Sequence, residues 1–81
     1  MKILRTENEL ISLENVRKVT LHNDITKHTS KGVPYTTNHY EIRIHYLEEK
    51  WELIHCGENA IGKAKAELLF EKIFKILSEK A

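Results

Sequence analysis

At 81 residues the chain has the length of one domain, 1–81. It can hide only a little over about 60% of its unfolded surface, enough for a single layer of core but not for a large enclosed cavity. A net charge of +1, with 41% hydrophobic and 31% charged residues, is ordinary for a soluble globular protein and lacks both the basic excess of a nucleic-acid binder and an acidic tail. The lone cysteine, Cys56, excludes an internal disulfide. No run reaches the ~18 apolar residues of a membrane span, and the opening Lys2-Ile3-Leu4-Arg5 is no signal peptide, so a cytoplasmic location is expected.

Residues 2–6 form a short predicted strand, and Glu7-Asn8-Glu9 turns it into a second at 10–13, with Asn8 able to take the left-handed conformation. Glu14-Asn15 interrupts before 16–23, where Val19 and Leu21 alternate with Lys18, Thr20 and His22. Such alternation marks a strand with one face on the core and one in water. Residues 24–37, with Gly32, Pro34 and many hydroxyl side chains, show no pattern and are expected to be a long loop, mobile or functional.

The clearest strand is 38–46, where Tyr40, Ile42, Ile44 and Tyr46 alternate with His39, Glu41, Arg43 and His45. A strand at 51–57 follows a turn at Glu48-Glu49 or a loop at 47–50. The expected register sets Tyr46 opposite Trp51, Ile44 opposite Leu53 and Ile42 opposite His55 on the core face. Residues 59–80 then read as one amphipathic helix with Asn59 as N-cap. Ala66, Leu69, Phe70, Ile73, Phe74, Ile76 and Leu77 share an arc about 160° wide. Gly62 weakens its first turn. The expected fold is α+β: an antiparallel β-meander of four to five strands with one C-terminal helix packed across one face.

Chemistry is thinly marked. Five histidines raise the question of metal. His22, His28 and His39 could approach one another around the 24–37 loop, but none of the spacings is that of a zinc site, and no metal or other cofactor is expected. His55 and Cys56 alternate to opposite faces and cannot act as a pair. Thr29-Ser30-Lys31-Gly32 lacks the glycine spacing of a phosphate loop. No catalytic residues are assigned, and the chain is read as a non-enzyme.

A single helix covers one side of the sheet. The other side is the candidate association surface, made of Arg43, His45, Leu47, Ile54 and Cys56, with Leu68 on the far side of the helix. The function expected is that of a protein–protein interaction module acting as a homodimer. The alternative is a single-stranded nucleic-acid binder using the open face and the 24–37 loop, through Lys18, Lys27, Lys31, Tyr35 and Arg43. Against it, Tyr40, Tyr46 and Trp51 are expected in the core, leaving only Tyr35 free to stack.

The opening Ile3-Leu4-Arg5-Thr6, then Leu10-Ile11-Ser12-Leu13-Glu14-Asn15-Val16, resembles a group of short uncharacterised bacterial and phage proteins with an "IRT…INLDNV"-like start. The resemblance implies a small antiparallel sheet with one terminal helix over nearly the whole chain. This sequence departs from it in the 24–37 segment and in lacking a glycine in the first turn, and the resemblance implies no functional residues. The strand-rich order ending in a helix is also similar to that of dimeric single-strand-binding transcription cofactors, in topology alone.

If the helix carries the core, an unpaired charge at its centre should be fatal. Ile73→Asp is expected to leave no cooperative thermal transition; a native-like melt would put Ile73 outside the helix–sheet contact.

Overall fold

The computed structural model describes residues 2–79 and has the order β1 (Ile3–Arg5), β2 (Leu10–Ser12), β3 (Val16–Ser30), β4 (Val33–Tyr46), β5 (Trp51–Glu58) and α1 (Asn59–Ser78). The fold is α+β, with five antiparallel strands in two sheets. One sheet is the β1–β2 hairpin; the other has the order β3-β4-β5. The expected end of the helix at Lys80 lies outside the described residues.

The core gathers on one side of the larger sheet. Leu4, Ile11 and Leu13 from the first hairpin and its exit meet Ile42 and Ile44 of β4, Cys56 of β5, and Ala66 and Ile73 of α1, all buried. Tyr40, Tyr46, Ile54, Leu69, Ile76 and Leu77 pack around them half-buried. The hairpin and helix lie side by side as one cover. The Lys2 ammonium donates to the Leu77 carbonyl at 3.0 Å, the Lys72 ammonium to the Arg5 carbonyl at 3.3 Å, and the Tyr46 hydroxyl to the Ser12 carbonyl at 2.7 Å. Burial, then the nearby Glu52 charge, pushes the Tyr46 hydroxyl above its ordinary pKa, which keeps that donor protonated. The first hairpin closes through Thr6, whose amide and hydroxyl both reach Glu9, rather than through a left-handed Asn8.

Residues 24–37 are not a loop. β3 and β4 continue as a two-stranded ribbon to a tight turn in which Lys31 and Gly32 both have positive φ (52° and 77°). That is the backbone of a type I′ hairpin. Pro34 is tolerated because β5 pairs with β4 only from His39 onward, so 33–38 is an edge where a missing N–H costs no ladder bond. The ribbon stretches the molecule to 55 × 24 × 21 Å with a radius of gyration of 15.2 Å, against about 12 Å for a compact chain of this length.

The β4–β5 register is one residue away from the expected one. His45 pairs with Trp51, Arg43 with Leu53 and Ile42 with Ile54. The cause is the connection. Tyr46 N–H donates to the Lys50 carbonyl and Glu49 sits at φ 61°, so the hairpin closes on three residues, the last of them left-handed. An odd count turns every side chain of β5 over. Ile54 and Cys56 therefore face the core, while Trp51 (56% exposed), Leu53 and His55 face away from it. A bulge between Glu41 and Tyr40, with Cys56 as the additional residue, shifts the pairing again before the strand ends.

The helix is set by small residues. Its buried stripe runs Gly62, Ala66, Ile73, with Leu69, Ile76 and Leu77 alongside; Phe70 and Phe74 stand out at 37% and 61% exposure, contrary to expectation. A Cβ built on Gly62 would overlap the carbonyl of Gly57 at the end of β5. Asn59 is not the N-cap. It takes a left-handed corner (φ 52°), and its side-chain oxygen accepts the Asn38 N–H at 3.1 Å, tying the helix start to β4; Glu58 holds the cap position with no side-chain bond.

Gly62→Ala separates propensity from packing. Propensity alone favours alanine by about 1 kcal/mol. The clash is with backbone, and overpacking of that kind costs about 1–3 kcal/mol. The variant is expected to melt roughly 5–10 °C lower than the parent; an unchanged or higher midpoint would mean the helix does not approach Gly57 so closely.

Candidate functional site

The side of the β3-β4-β5 sheet away from the helix has no covering element among the described residues. Cross-strand partners share a face, so the register reads off its rows: Lys18, His45 and Trp51; Thr20, Arg43 and Leu53; His22, Glu41 and His55; Asp24, His39 and Glu58. The ribbon continues the same face with Thr26 beside Thr37 and His28 beside Tyr35, the last two rings stacked at 4.9 Å. All five histidines of the chain thus lie on one sheet face, although they come from three strands.

At its centre Glu41 is buried at 8% exposure and accepts from Arg43 Nη2 at 2.8 Å. The Arg43 guanidinium carbon lies 5.8 Å from the Trp51 ring centroid, within cation–π range. Among the described residues the buried Arg43 Nε has no hydrogen-bond partner. His22 Nε2 is 2.9 Å from Thr20 Oγ1, and His39 Nδ1 is 3.7 Å from Glu58 Oε1. Loss of water around the ring, then the charges of Lys18, Arg17, Arg43 and His22, hold His45 below the ordinary histidine value. Among the described residues no three histidine, cysteine, aspartate or glutamate side chains are arranged to hold a metal ion; His22, His28 and His39 are strung along the face rather than gathered.

The expected association surface divides in two. Arg43 and His45 lie on the open face, with Leu47 exposed in the turn at its end. Ile54 and Cys56 are corrected to the opposite side by the odd-length turn. They meet Leu68 there instead, in an open groove of about 620 Å³ between the β1–β2 turn, β5 and the Leu68–Lys72 side of the helix. Burial, offset in part by Lys65, raises the Cys56 thiol above its ordinary pKa, so it is a packing residue and a poor nucleophile. Of the residues considered for nucleic acid, Lys18, Tyr35 and Arg43 share the open face, Lys27 points to the other side of the ribbon, and Lys31 sits at its tip.

Trp51 on the open face was missed in the sequence. So was the length of the outer edge of β3, 15 residues with no strand beyond it among the described residues. No helix among the described residues is long and apolar enough to cross a membrane. No protein-family model, curated protein or solved structure matches the chain.

The electrostatics of the open face can be read in solution. In an NMR titration His45 should take up its proton below the ordinary histidine range, and Lys18→Gln should move that midpoint upward. Because the unfolded chain binds this proton first as pH falls, the group favours folding above that range and disfavours it below. A midpoint at the ordinary value, unmoved by the substitution, would contradict this placement.

Proposed function

We propose that the chain is a non-enzymatic protein–protein interaction module that acts as a homodimer. One observation carries the reading: β3 and the β3–β4 ribbon leave hydrogen-bonding backbone and apolar side chains without cover. A two-stranded ribbon is marginal in water unless a third strand or a packed face supports it. Here residues 24–37 have neither, yet they carry Ile25, Val33 and Tyr35 at 61%, 64% and 49% exposure. A long flat edge is a template for pairing. The net charge of +1 sets little long-range repulsion against the approach of a second copy. A cytoplasmic, thiol-reducing setting suits the single buried Cys56.

A second reading, single-stranded nucleic-acid binding, gains support from Trp51. An exposed indole over Arg43, with Tyr35 further along the same face, supplies stacking platforms of the kind such proteins use. Three carboxylates on the face, those of Asp24, Glu41 and Glu58, weigh against it and keep it second.

Light scattering on a sizing column should give twice the 9.5 kDa of one chain at micromolar concentration; a monomer at millimolar concentration would overturn the proposal. Fluorescence anisotropy with labelled oligonucleotides at two salt concentrations decides the second reading. It requires salt-dependent binding that weakens about tenfold or more in Trp51→Ala, in line with about 1–3 kcal/mol per stacked base. Absence of binding removes it.

A further inference from the structure

We infer that the second copy docks by strand addition along β3, antiparallel and in full register, with the two-fold axis at Asn23. The inference rests on the homodimer reading and names its surface. Besides the short edge of β4 at 33–38, which Pro34 interrupts and where the Asn38 N–H is taken by the Asn59 side chain, the sheet has two outer edges. That of β5 is 8 residues long, is broken by the bulge at Cys56, and opens into the groove flanked by the β1–β2 turn and the helix. That of β3 runs 15 residues, has no proline, and is regular from Lys18 to Ser30. Regularity and length make β3 the edge that accepts a strand.

The residues along that edge select the register. A two-fold axis at Asn23 overlaps the regular part of the strand, Lys18 lying opposite the partner's His28. It sets Leu21 against the partner's Ile25 on the helix side, and His22 against the partner's Asp24 on the open side. Each pair occurs twice by symmetry. Apolar meets apolar and an acid meets a base, the cross-strand combinations that stabilise sheets. Moving the axis by one residue worsens the match either way. At Asp24 it places two carboxylates face to face; at His22 it sets Val19 against the partner's Ile25 but leaves Leu21 against Asn23 and no acid against a histidine. An axis between two residues turns one copy over and pairs Leu21 with a polar neighbour or with a residue of the opposite face.

The same register covers apolar surface that one copy leaves open. Lys72 faces β1, so Phe70 and Phe74, on the opposite flank of α1, look toward β3, which the helix also contacts. The partner's Ile25 would lie beside Leu21 next to that flank. Leu21, Ile25, Phe70 and Phe74 are 37%, 61%, 37% and 61% exposed in the single chain. Each ribbon would gain its third strand from the body of the other copy, and the product is one six-stranded sheet with both helices on one side.

Spin labels on exposed positions of a Cys56→Ala background test the register by pulsed EPR. Labels at Asn23→Cys should lie within about 20 Å of each other across the axis. Labels at Thr26→Cys should be about 20 Å apart, and at Ser30→Cys about 45 Å, at about 3.3 Å per residue. Circular dichroism of each labelled protein confirms that it is folded. Ile25→Asp, at a position exposed in the single chain, should weaken dimerisation at least tenfold without changing that spectrum. A dimer whose distances do not grow from Asn23 to Ser30 overturns the strand pairing and leaves the homodimer standing; a monomer at every concentration overturns both.

Discussion

Everything in this fold converges on two adjacent turns of the pleat in β4. Ile42 and Ile44, both with no exposed surface, form the floor on which α1 and the β1–β2 hairpin rest, and no other part of the sheet is covered on that side to the same depth. The helix comes low enough to seal them because its first turns present Gly62 and Ala66 rather than large side chains, with Gly57 just beneath. A single small core of this kind is what a chain of 81 residues can build. It stabilises one end of the sheet and leaves the rest dependent on hydrogen bonds between neighbouring strands.

The functional surfaces follow from that asymmetry. Since both covering elements share one face, the other face stays open along its whole length. The residues on it are those that tolerate water or pair with each other: Glu41 with Arg43, His22 with Thr20, Arg43 with Trp51. Beyond the reach of β5 the β3–β4 ribbon has no floor at all. The association proposed here is a consequence of where the core ends rather than of any motif.

Much of the architecture was legible because hydrophobic alternation is strong where burial is strong. The helix and the strand around Ile42 and Ile44 announce themselves, and the antiparallel α+β arrangement follows. The failures come from local backbone chemistry. Glu49 in a left-handed conformation makes the β4–β5 turn odd, and no propensity marks a glutamate for that role. The apolar content could have warned of it: putting Ile54 and Cys56 inward serves the core better than Leu53 and His55. The ribbon was hidden because it buries nothing, so it has no alternation to show. Its signals were Lys31-Gly32 as a two-residue turn and the β-branched Ile25, Thr26, Thr29, Val33, Thr36 and Thr37. Gly62 read as a weakness in the helix, and only the approach to Gly57 reveals its purpose.

The placement on which the surfaces depend is that of Trp51, the single tryptophan, because the register that turns it outward also turns Ile54 and Cys56 inward and puts His55 in line with His22. Its fluorescence reports that placement directly. The indole should emit at a wavelength typical of contact with water and be quenched efficiently by acrylamide, to the same extent at all protein concentrations, since pairing along β3 leaves β5 untouched. A blue-shifted emission resistant to quenching in the folded protein would put Trp51 beneath the helix, reverse the faces of β5, and contradict the account at its root.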